Sequence, residues 1–426
     1  MDLIAIAVPF FLLALLFELF IDWHRGGGLY RSNDAINSLS AGILSTTTGY
    51  FTRILPLLAW GFVLQNFALI DMQREWFDFS ATGLALWVLA ALAWDFCYYW
   101  FHRFSHEISI LWAAHAVHHQ SEDYNLSTAL RQTSTGFLFG WIFYLPLFLI
   151  GFPLEVLITV NAVNLIYQFW VHTQVVRRMG VLDRILVTPS NHRVHHAQNE
   201  RYIDKNYGGM LILWDRFFGT FEEEAADEPV VFGVRKPLAN WNPFWANLQV
   251  YDYLLFDARK AASWRDKIGV WLRRTGWRPA DVEAQFPRSR SDVEHFRKFD
   301  PPLPNAQRRY VLAQFAIAIL GALFIADLFA QRGAAAVLVP CLALWLQLYT
   351  LGLLSEGRAE ALRAELLRLL LGTPLLFLLM QQTPAAIERG IGAWLVLGLY
   401  AMLSSLWLFA SHSKPKIPWR SADERS

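Results

Sequence analysis

The chain has 426 residues, of which 55% are hydrophobic and 17% are charged, and its formal net charge is +1. Soluble globular proteins average roughly 45–50% apolar and about 25% charged residues, so the composition excludes a disordered chain and disfavours an ordinary soluble enzyme. The near-zero net charge gives no field that would attract nucleic acid, and we expect no nucleic-acid partner. Cys97 and Cys341 form neither a disulfide framework nor a metal motif. The composition indicates a polytopic membrane protein.

Long apolar stretches divide most of the chain. A helix that crosses a bilayer needs about 20 mostly apolar residues. Candidate spans lie at 3–21, 40–66, 80–101, 135–152, 154–172, 309–330, 334–354, 366–381 and 390–411. Pro153 alone separates the fourth stretch from the fifth, so the two form either a hairpin that dips into the membrane or two full spans. The pattern predicts an all-α membrane bundle with about eight to nine spans, the first of them a retained anchor without the features of a signal peptide.

The distribution of Lys and Arg between short loops predicts the orientation, because cytoplasmic loops are enriched in both. With nine spans, the basic residues after the first span, between the seventh and eighth, and after the last fall on one side. They are Arg25, Arg31, Arg358, Arg363, Arg368, Lys414, Lys416 and Arg420. This side is predicted to be cytoplasmic, which places 102–134 and 173–308 in the cytoplasm. The Ala/Arg/Leu-rich composition favours a bacterial inner membrane.

Histidines are concentrated in one part of the chain, where nine of the twelve lie between positions 102 and 196. Eight of them form one HxxxH and two HxxHH motifs, and the ninth ends the fifth span. The motif residues are His102 and His106, then His115, His118 and His119, then His192, His195 and His196, and the ninth histidine is His172. Residues spaced i, i+3 and i+4 share one face of a helix. Each motif is therefore predicted to direct its imidazoles to one side of a helix, in a histidine-rich helical cap on the cytoplasmic side.

Crowded neutral imidazoles indicate metal binding, since imidazole suits Zn, Cu, Fe and Ni. Eight or nine ligands exceed the four that one zinc ion takes, so the pattern predicts two metals. We predict the eight motif histidines as catalytic metal ligands and His172 as an additional ligand. Asp95 shares a helical face with His102, and either accepts a hydrogen bond from a ligand imidazole or is a polar residue near the end of a span. Two metals near lipid fit oxygen activation, and no carboxylate is interleaved with the histidines as in two-metal hydrolases.

Around these histidines the sequence resembles the fatty acid hydroxylase/sterol desaturase superfamily. The resemblance covers about residues 90 to 250. Its densest strings are HHQSEDYNLSTALRQ at 118–132, QFWVHT at 168–173, TPSNHRVHH at 188–196, YIDKNYGG at 202–209 and WDRFFGTF at 214–221. These longer strings look most like the alkylglycerol monooxygenase branch, which cleaves ether lipids.

The resemblance implies two iron ions per chain held by the nine histidines, molecular oxygen, and a lipid substrate taken from the bilayer. For this branch it also implies tetrahydrobiopterin as electron donor. Gln174 occupies a position that is acidic in the animal branch, so a redox protein or another two-electron donor is a second prediction. The predicted function is ether-lipid cleavage by hydroxylation of the carbon next to the ether oxygen. Hydroxylation or desaturation of sterols, fatty acids or carotenoids is the alternative, and a metal transporter with a histidine relay is a distant one.

The spans and the resemblance together predict four regions. Residues 1–79 form N-terminal anchor spans, 80–260 a di-iron catalytic domain, 261–308 a cytoplasmic or interfacial linker, and 309–426 the C-terminal spans with a short cytoplasmic tail. The segment 173–308 is rich in Trp and Arg. It forms either a surface that lies on lipid headgroups or a plain cytoplasmic cap.

The polar head of the lipid is expected near Asn125, Arg131 and the loop at 202–208. For Arg131 a structural role is favoured over phosphate binding. For residues 204–206 a turn held by its own side chains is favoured over a headgroup site. The glycines at 208–209 are expected to permit close packing or unusual backbone angles.

Overall fold

The computed structural model describes residues 3–375 and 390–411. Within these ranges the chain forms helices and three isolated β-bridges, and no β-strand. The predicted all-α membrane fold is confirmed. The chain divides into two compact units, of which the first contains 1–42, 52–238 and 247–297 and the second contains 43–51, 239–246 and 298–426.

The first unit carries the motif histidines, and its helices are mostly short. They are α1 (Leu3–His24), α2 (Ser32–Thr52), α3 (Ile54–Phe67), α4 (Ala81–Glu107), α5 (Ser109–His119), α6 (Leu126–Ala129), α7 (Leu145–Ile150), α8 (Leu154–Trp170), α9 (Pro189–His195), α10 (Leu213–Phe218), α11 (Pro243–Lys260), α12 (Trp264–Leu272) and α13 (Ala280–Gln285). Part of α2 and the first residues of α11 belong to the second unit. The remaining described helices of that unit are α14 (Asn305–Arg332), α15 (Ala334–Ser355), α16 (Ala361–Leu367) and α17 (Gly390–Ser411).

Four of these helices are long and apolar enough to cross a membrane: α1 from Ile6 onward, α4, α14 and α15. Shorter apolar helical segments accompany them at Ile54–Phe67, Gly140–Ile150, Leu154–Trp170 and Leu395–Ser411. On α1 the side chains of Phe10, Leu13 and Phe17 are 66%, 63% and 65% exposed. A soluble monomer rarely leaves such a contiguous apolar surface, which suits a helix that faces lipid. The number of spans, about eight to nine, stays a prediction.

The predicted span at 135–152 is not a continuous helix. A 3-10 helix at Gly140–Tyr144 leads into α7, which has six residues. Gly151 ends α7 with φ +113°, in the left-handed region that glycine adopts without steric cost. A Cβ atom on Gly151 would lie 1.8 Å from the carbonyl oxygen of Ile70. The glycine therefore permits both the turn and the close approach of two backbone segments.

Two further predicted spans are interrupted. The stretch 40–66 divides into α2 and α3, and Pro56 explains the break, because its ring would clash with the carbonyl of the residue four positions earlier in a continuous helix. The stretch 366–381 begins in α16 and continues as a π-helix at Arg368–Gly372. Its last six residues lie outside the described residues, as does the predicted cytoplasmic tail.

Aromatic packing positions α4 in the first unit. Trp94 of α4 stacks on Tyr144, with ring centroids 4.0 Å apart, and both side chains are buried. Phe148 and Leu157, from α7 and α8, are fully buried in the same cluster. In this cluster, Trp94 of α4 lies about two helical turns before His102. The packing therefore fixes the position of the helix that carries the HxxxH motif.

A buried ion pair organises the second unit. Arg368 is 4% exposed and Glu365 is 0% exposed, and the guanidinium donates to both carboxylate oxygens at 2.6 and 2.8 Å. Tyr310 and Thr350 donate to the same carboxylate, each at 2.7 Å. Arg368 is therefore a buried structural residue and not a loop charge, so it does not support the predicted orientation.

Candidate metal centre

All nine predicted ligand histidines are brought together in the first unit, and they form two sets. The ligand nitrogens within each set all lie within 4.8 Å of one another. The first set is His102, His106, His115, His119 and His195, and the second is His118, His172, His192 and His196. The remaining described histidines lie elsewhere: His24 ends α1, and His295 is an exposed residue paired with Asp292.

The two sets do not follow the sequence motifs. On α5, His115 and His119 are four residues apart and join the first set, whereas His118 is offset around the helix and joins the second. The second HxxHH motif divides in the same way, with His195 in the first set. Rings from different sets consequently lie side by side, and the centroids of His119 and His196 are 4.3 Å apart. Two adjacent metal sites thus share both helices.

The spacing of the nitrogens fits metal coordination. In the first set, Nε2 of His115 lies 3.0 Å from Nε2 of His102 and 3.1 Å from that of His119. In the second set, Nε2 of His172 lies 3.2 Å from that of His118 and 3.0 Å from that of His192. Neighbouring nitrogens bound at about 2.05 Å to one ion are roughly 2.9–3.3 Å apart in octahedral or tetrahedral geometry. Both sets therefore have the spacing of ligands around one ion each.

Four of the imidazoles are oriented by backbone carbonyls. Each donates from Nδ1, which leaves Nε2 free to act as a ligand. The pairs are His102 with Tyr207 at 2.8 Å, His118 with Arg131 at 2.9 Å, His172 with Gln168 at 2.8 Å and His195 with Lys205 at 2.9 Å. The Nε2 atoms of His106 and His195 are buried and have no protein partner. Buried nitrogens without a partner are costly, so these atoms fit a site built for an ion.

Burial keeps the imidazoles neutral, as metal ligands must be. It lowers the pKa of His118 to about 4 and that of His195 to about 3. Burial also holds the pKa of four others well below 6.5, with neighbouring imidazoles adding to the effect. They are His115, His119, His192 and His196. At neutral pH the cluster therefore offers uncharged nitrogen donors.

We expect the metal-free protein to lose stability as the pH falls below about 6.5. The unfolded chain protonates its histidines there, whereas burial holds the pKa of His118 at about 4 in the folded chain. The lower pKa of His118 in the folded chain contributes roughly 3 kcal/mol to the free energy of unfolding. This contribution is fully present above about pH 6.5 and is lost as the pH falls to the folded-state pKa of about 4. Thermal unfolding in detergent, followed from about pH 7.5 to 4.5, measures the loss. A constant unfolding temperature over this range would contradict the expectation.

No carboxylate joins either set within residues 3–375 and 390–411. The nearest acidic residues in sequence are engaged elsewhere. Glu107 pairs with Arg103 at 3.1 Å, and Glu122 and Asp123 pair with Arg31 at 3.6 and 3.1 Å. Among the described residues, the candidate centre is therefore composed of imidazoles alone.

Asp95 serves the fold around the centre and does not accept from an imidazole. Its carboxylate accepts hydrogen bonds from four donors, which are the amides of Met210 and Leu211 at 2.8 and 3.1 Å, Nε1 of Trp214 at 3.0 Å and Nδ2 of Asn164 at 3.1 Å. A Cβ atom on Gly209 would lie 2.8 Å from Oδ1 of Asp95. This glycine thus permits the close packing that was predicted, and Asp95 joins α4 to the loop before α10.

Asp215 was not found from the sequence, although it supports two ligands. It is fully buried and accepts from the amides of Tyr207 and Gly208 at 2.7 and 2.8 Å. The segment it holds presents the carbonyls that orient His102 and His195. Burial raises the pKa of Asp215 to about 6. No local pattern distinguishes this aspartate from an ordinary helix residue.

Glu18 is a second residue that the sequence analysis missed. It is a buried acid inside the apolar helix α1, and it accepts from the hydroxyls of Thr173 and Tyr30 and from the amide of Leu126 at 2.8 Å. Thr173 follows His172, so Glu18 connects α1 to a metal-binding segment. A signal existed here, because an ionisable residue within a span indicates a functional or structural site.

The residues expected near a lipid head are used by the fold. Arg131 is 1% exposed and donates to the carbonyl of Val117 at 2.6 Å and to Oε1 of Gln120 at 3.1 Å. Nδ2 of Asn125 donates to the carbonyl of Leu29 at 2.7 Å. Asp204 and Asn206 have φ values of 58° and 56°, which are turn conformations that Asn and Asp tolerate. The favoured structural interpretations of Arg131 and of residues 204–206 agree with these contacts.

Comparison with known proteins identifies the class. A family model described as fatty acid hydroxylase matches residues 87–220, the segment that contains all nine ligand histidines. A helical membrane chain with this segment and an all-histidine centre is an oxidoreductase of the fatty acid hydroxylase class. The chain is 37% identical over 372 residues to the alkylglycerol monooxygenase of Danio rerio, which covers 86% of this chain and 80% of that protein.

Two further relatives place the chain within this class. It is 36% identical over 375 residues to the alkylglycerol monooxygenase of Homo sapiens, covering 87% of this chain and 81% of that protein. An ornithine lipid hydroxylase of Rhizobium tropici is 33% identical over 160 residues, which are 36% of this chain and 46% of that protein. No solved structure matches the chain. The chain belongs to the alkylglycerol monooxygenase family, and the predicted enzyme class, a membrane-bound monooxygenase, is confirmed.

Proposed function

We propose that this protein is an O2-dependent, di-iron lipid monooxygenase that cleaves ether lipids. The observation that carries the proposal is the sorting of nine clustered imidazoles into two adjacent sets of five and four. The proposed iron ligands are His102, His106, His115, His119 and His195 for one ion, and His118, His172, His192 and His196 for the other. Two ions with imidazole ligands would supply the activation of molecular oxygen.

The chain's own residues supply a dry and rigid site. All of the ligand histidines except the half-buried His115 are buried, which keeps water from the reacting groups. The backbone carbonyls of Tyr207, Arg131, Gln168 and Lys205 hold four of the rings in one orientation. Preorganised ligands of this kind would hold both ions in fixed positions, so that a bound substrate meets them in one geometry.

The proposed reaction replaces one hydrogen on the carbon next to the ether oxygen with a hydroxyl group. One atom of O2 enters this C–H bond, and the other leaves as water with two electrons and two protons from the donor. The C–H bond is weakened by the neighbouring oxygen, whose lone pair stabilises a radical on the carbon. The product is a hemiacetal, which collapses to an aldehyde and a free glycerol hydroxyl.

The two electrons must come from outside the chain. We propose tetrahydrobiopterin as the donor, with a redox protein as the second candidate. Gln174 donates to the carbonyl of Tyr124 at 2.8 Å, and the ring of Tyr124 lies 5.7 Å from that of His172. The position that is acidic in the animal branch is thus occupied by a neutral amide close to the metal-binding segment, which is why the second candidate is kept.

We also propose the predicted arrangement in the membrane. Residues 80–260 form the catalytic domain. Anchor spans at 1–79 precede it, and a linker at 261–308 and further spans at 309–426 follow it. Arg25 and Arg31 after α1, with Arg358 and Arg363 after α15, support a cytoplasmic active site. The bacterial inner membrane stays a prediction from composition.

A second candidate function is hydroxylation or desaturation of another lipid, namely a sterol, a fatty acid or a carotenoid. The fatty acid hydroxylase model and the similarity to an ornithine lipid hydroxylase favour it. It would use the same histidines. Metal transport is not proposed, because the family consists of enzymes.

Matched lipids distinguish the two candidates. Purified protein in lipid discs is supplied with an alkylglycerol, a monoacylglycerol of equal chain length or the free fatty acid, each with tetrahydrobiopterin and 18O2. We expect a fatty aldehyde from the alkylglycerol alone. The aldehyde should carry one 18O atom until its oxygen exchanges with water. The monoacylglycerol is the control, because the first carbon of its acyl chain is a carbonyl carbon that carries no hydrogen. Hydroxylated fatty acid without ether cleavage would overturn the first proposal and support the second.

A further inference from the structure

Helix α12 carries an apolar face that the described part of the chain does not cover. Trp264, Ile268 and Leu272 are 78%, 57% and 63% exposed. They are spaced i, i+4 and i+8, so they share one side of the helix. The opposite side is occupied by Gly269 and Val270, which are buried. Large apolar side chains aligned on the exposed side of an amphipathic helix mark an interaction surface.

The chain around α12 is basic. Seven of the twenty residues at 259–278 are Lys or Arg and one, Asp266, is acidic. Two of the seven, Arg274 and Arg278, pair with Asp204 and Asp257, which leaves five near the apolar face. Arg265 is exposed at one edge of the apolar face. At the other edge Lys267 lies over the ring of Trp264, with its Nζ 5.8 Å from the centroid. An apolar stripe bordered by basic side chains is typical of helices that lie in the headgroup layer of a membrane.

The attachment of α12 sets its depth. The carbonyl of Arg273, directly after α12, accepts from the amide of Ser109 at 3.0 Å. The amide of Thr275 donates to the carbonyl of Glu107, the last residue of α4, at 3.1 Å. The 27 residues of α4 span roughly 40 Å, close to the thickness of a bilayer with its headgroups. The end of α4, and α12 with it, therefore lies at the level of the headgroups.

We propose that α12 lies in the surface of the bilayer on the side where α4 ends. Trp264, Ile268 and Leu272 enter the boundary between headgroups and acyl chains. The surrounding basic side chains contact anionic headgroups. The depth of α12 favours a lipid surface over a soluble partner, because the residues directly after α12 are hydrogen-bonded to the end of a spanning helix.

This surface is connected to the metal centre. Val270 of α12 packs with Ala113 of α5 and Leu254 of α11 in one buried cluster. Helix α5 carries three of the ligand histidines, so α12 fastens that helix to the membrane surface. The inference rests on the exposed face and contacts of α12 and on α4 crossing the bilayer, and it does not depend on which lipid the enzyme oxidises.

Spin labels measure the depth directly. In full-length protein with Cys97 and Cys341 changed to alanine, the variant Ile268→Cys is labelled and placed in lipid discs with and without anionic lipid. The label's collision rates with oxygen, which concentrates in lipid, and with a water-soluble nickel chelate are compared. The matched control is Ala226→Cys, because Ala226 is exposed in an acidic segment of the same unit.

We expect the label at 268 to collide more often with oxygen than with the chelate, and the label at 226 to show the reverse. Omitting anionic lipid should lower the oxygen preference at 268 and leave 226 unchanged. Equal chelate access at the two positions would overturn the proposal. The proposal would also be overturned if the label at 268 became shielded from both reagents as the protein density rose. This result would assign the face to a second copy of the chain.

Discussion

Changing His118 or His195 to alanine should remove bound iron and abolish turnover. The two residues belong to different sets, so each change damages a different ion site. His118→Ala leaves three imidazoles in the second set, whereas His195→Ala leaves four in the first, so we expect the more complete metal loss from His118→Ala. Losing a partner that only orients a ligand costs about 10–100-fold in affinity or activity, so losing a ligand should cost more than about 100-fold. Metal content per chain and ether cleavage are the two measurements.

The matched control for both variants is His295→Ala, since His295 is exposed and pairs only with Asp292 among the described residues. It should keep the metal content and activity of the unchanged protein. Full activity in His118→Ala or His195→Ala, with the fold intact, would contradict the two-site assignment. Zinc in place of iron in the unchanged protein would contradict the oxygenase proposal as a whole.

Changing Asp95 to alanine should prevent the first unit from folding stably. The carboxylate accepts hydrogen bonds from four buried or half-buried donors, and alanine would leave all four without it. Each unpaired buried group costs about 1–3 kcal/mol, so the variant loses on the order of 4–10 kcal/mol, a large part of the 5–15 kcal/mol that holds a typical domain together. The measurements are the yield of monodisperse protein in detergent and its unfolding temperature.

Asp95→Asn provides an intermediate case, because its amide oxygen retains part of the acceptor capacity while its NH2 group faces a donor. We expect a smaller drop in unfolding temperature than for alanine. Asp71→Ala, at an exposed position, is the control and should be neutral. If Asp95→Ala folded as stably as the control, the carboxylate would not be the connection between α4 and the loop before α10.

The grouping of the nine histidines could be predicted from the sequence because the signal is local. HxxxH and HxxHH place imidazoles on helical faces at spacings that one turn determines. The division of the nine ligands between two sites could not be predicted in this way. His118 can join the set of His115 or the set of His172, depending on how α5 is rotated relative to α8 and α9. This rotation is determined by tertiary packing and not by the local sequence.

The supporting residues were harder to predict for a different reason. His102, His118, His172 and His195 are oriented by backbone carbonyls, and any residue type supplies a carbonyl. The interruptions of the predicted spans, by contrast, had visible causes. Pro56 and Gly151 stand where helices end, and hydropathy alone does not register them. The burial of Arg368 depended on its ion pair with Glu365, three residues earlier on the same helical face.

The interleaving of the two sets has a consequence for the assembly of the centre. Helix α5 gives His115 and His119 to one ion and His118 to the other, and α9 with the residue after it is divided in the same way. An ion bound by His115 and His119 restricts the rotation of α5 about its axis, and it therefore also restricts the direction in which His118 points. The first ion to arrive therefore orients nitrogens that belong to the second site. Loading should be cooperative, with chains that hold a single ion the least populated form during a metal titration.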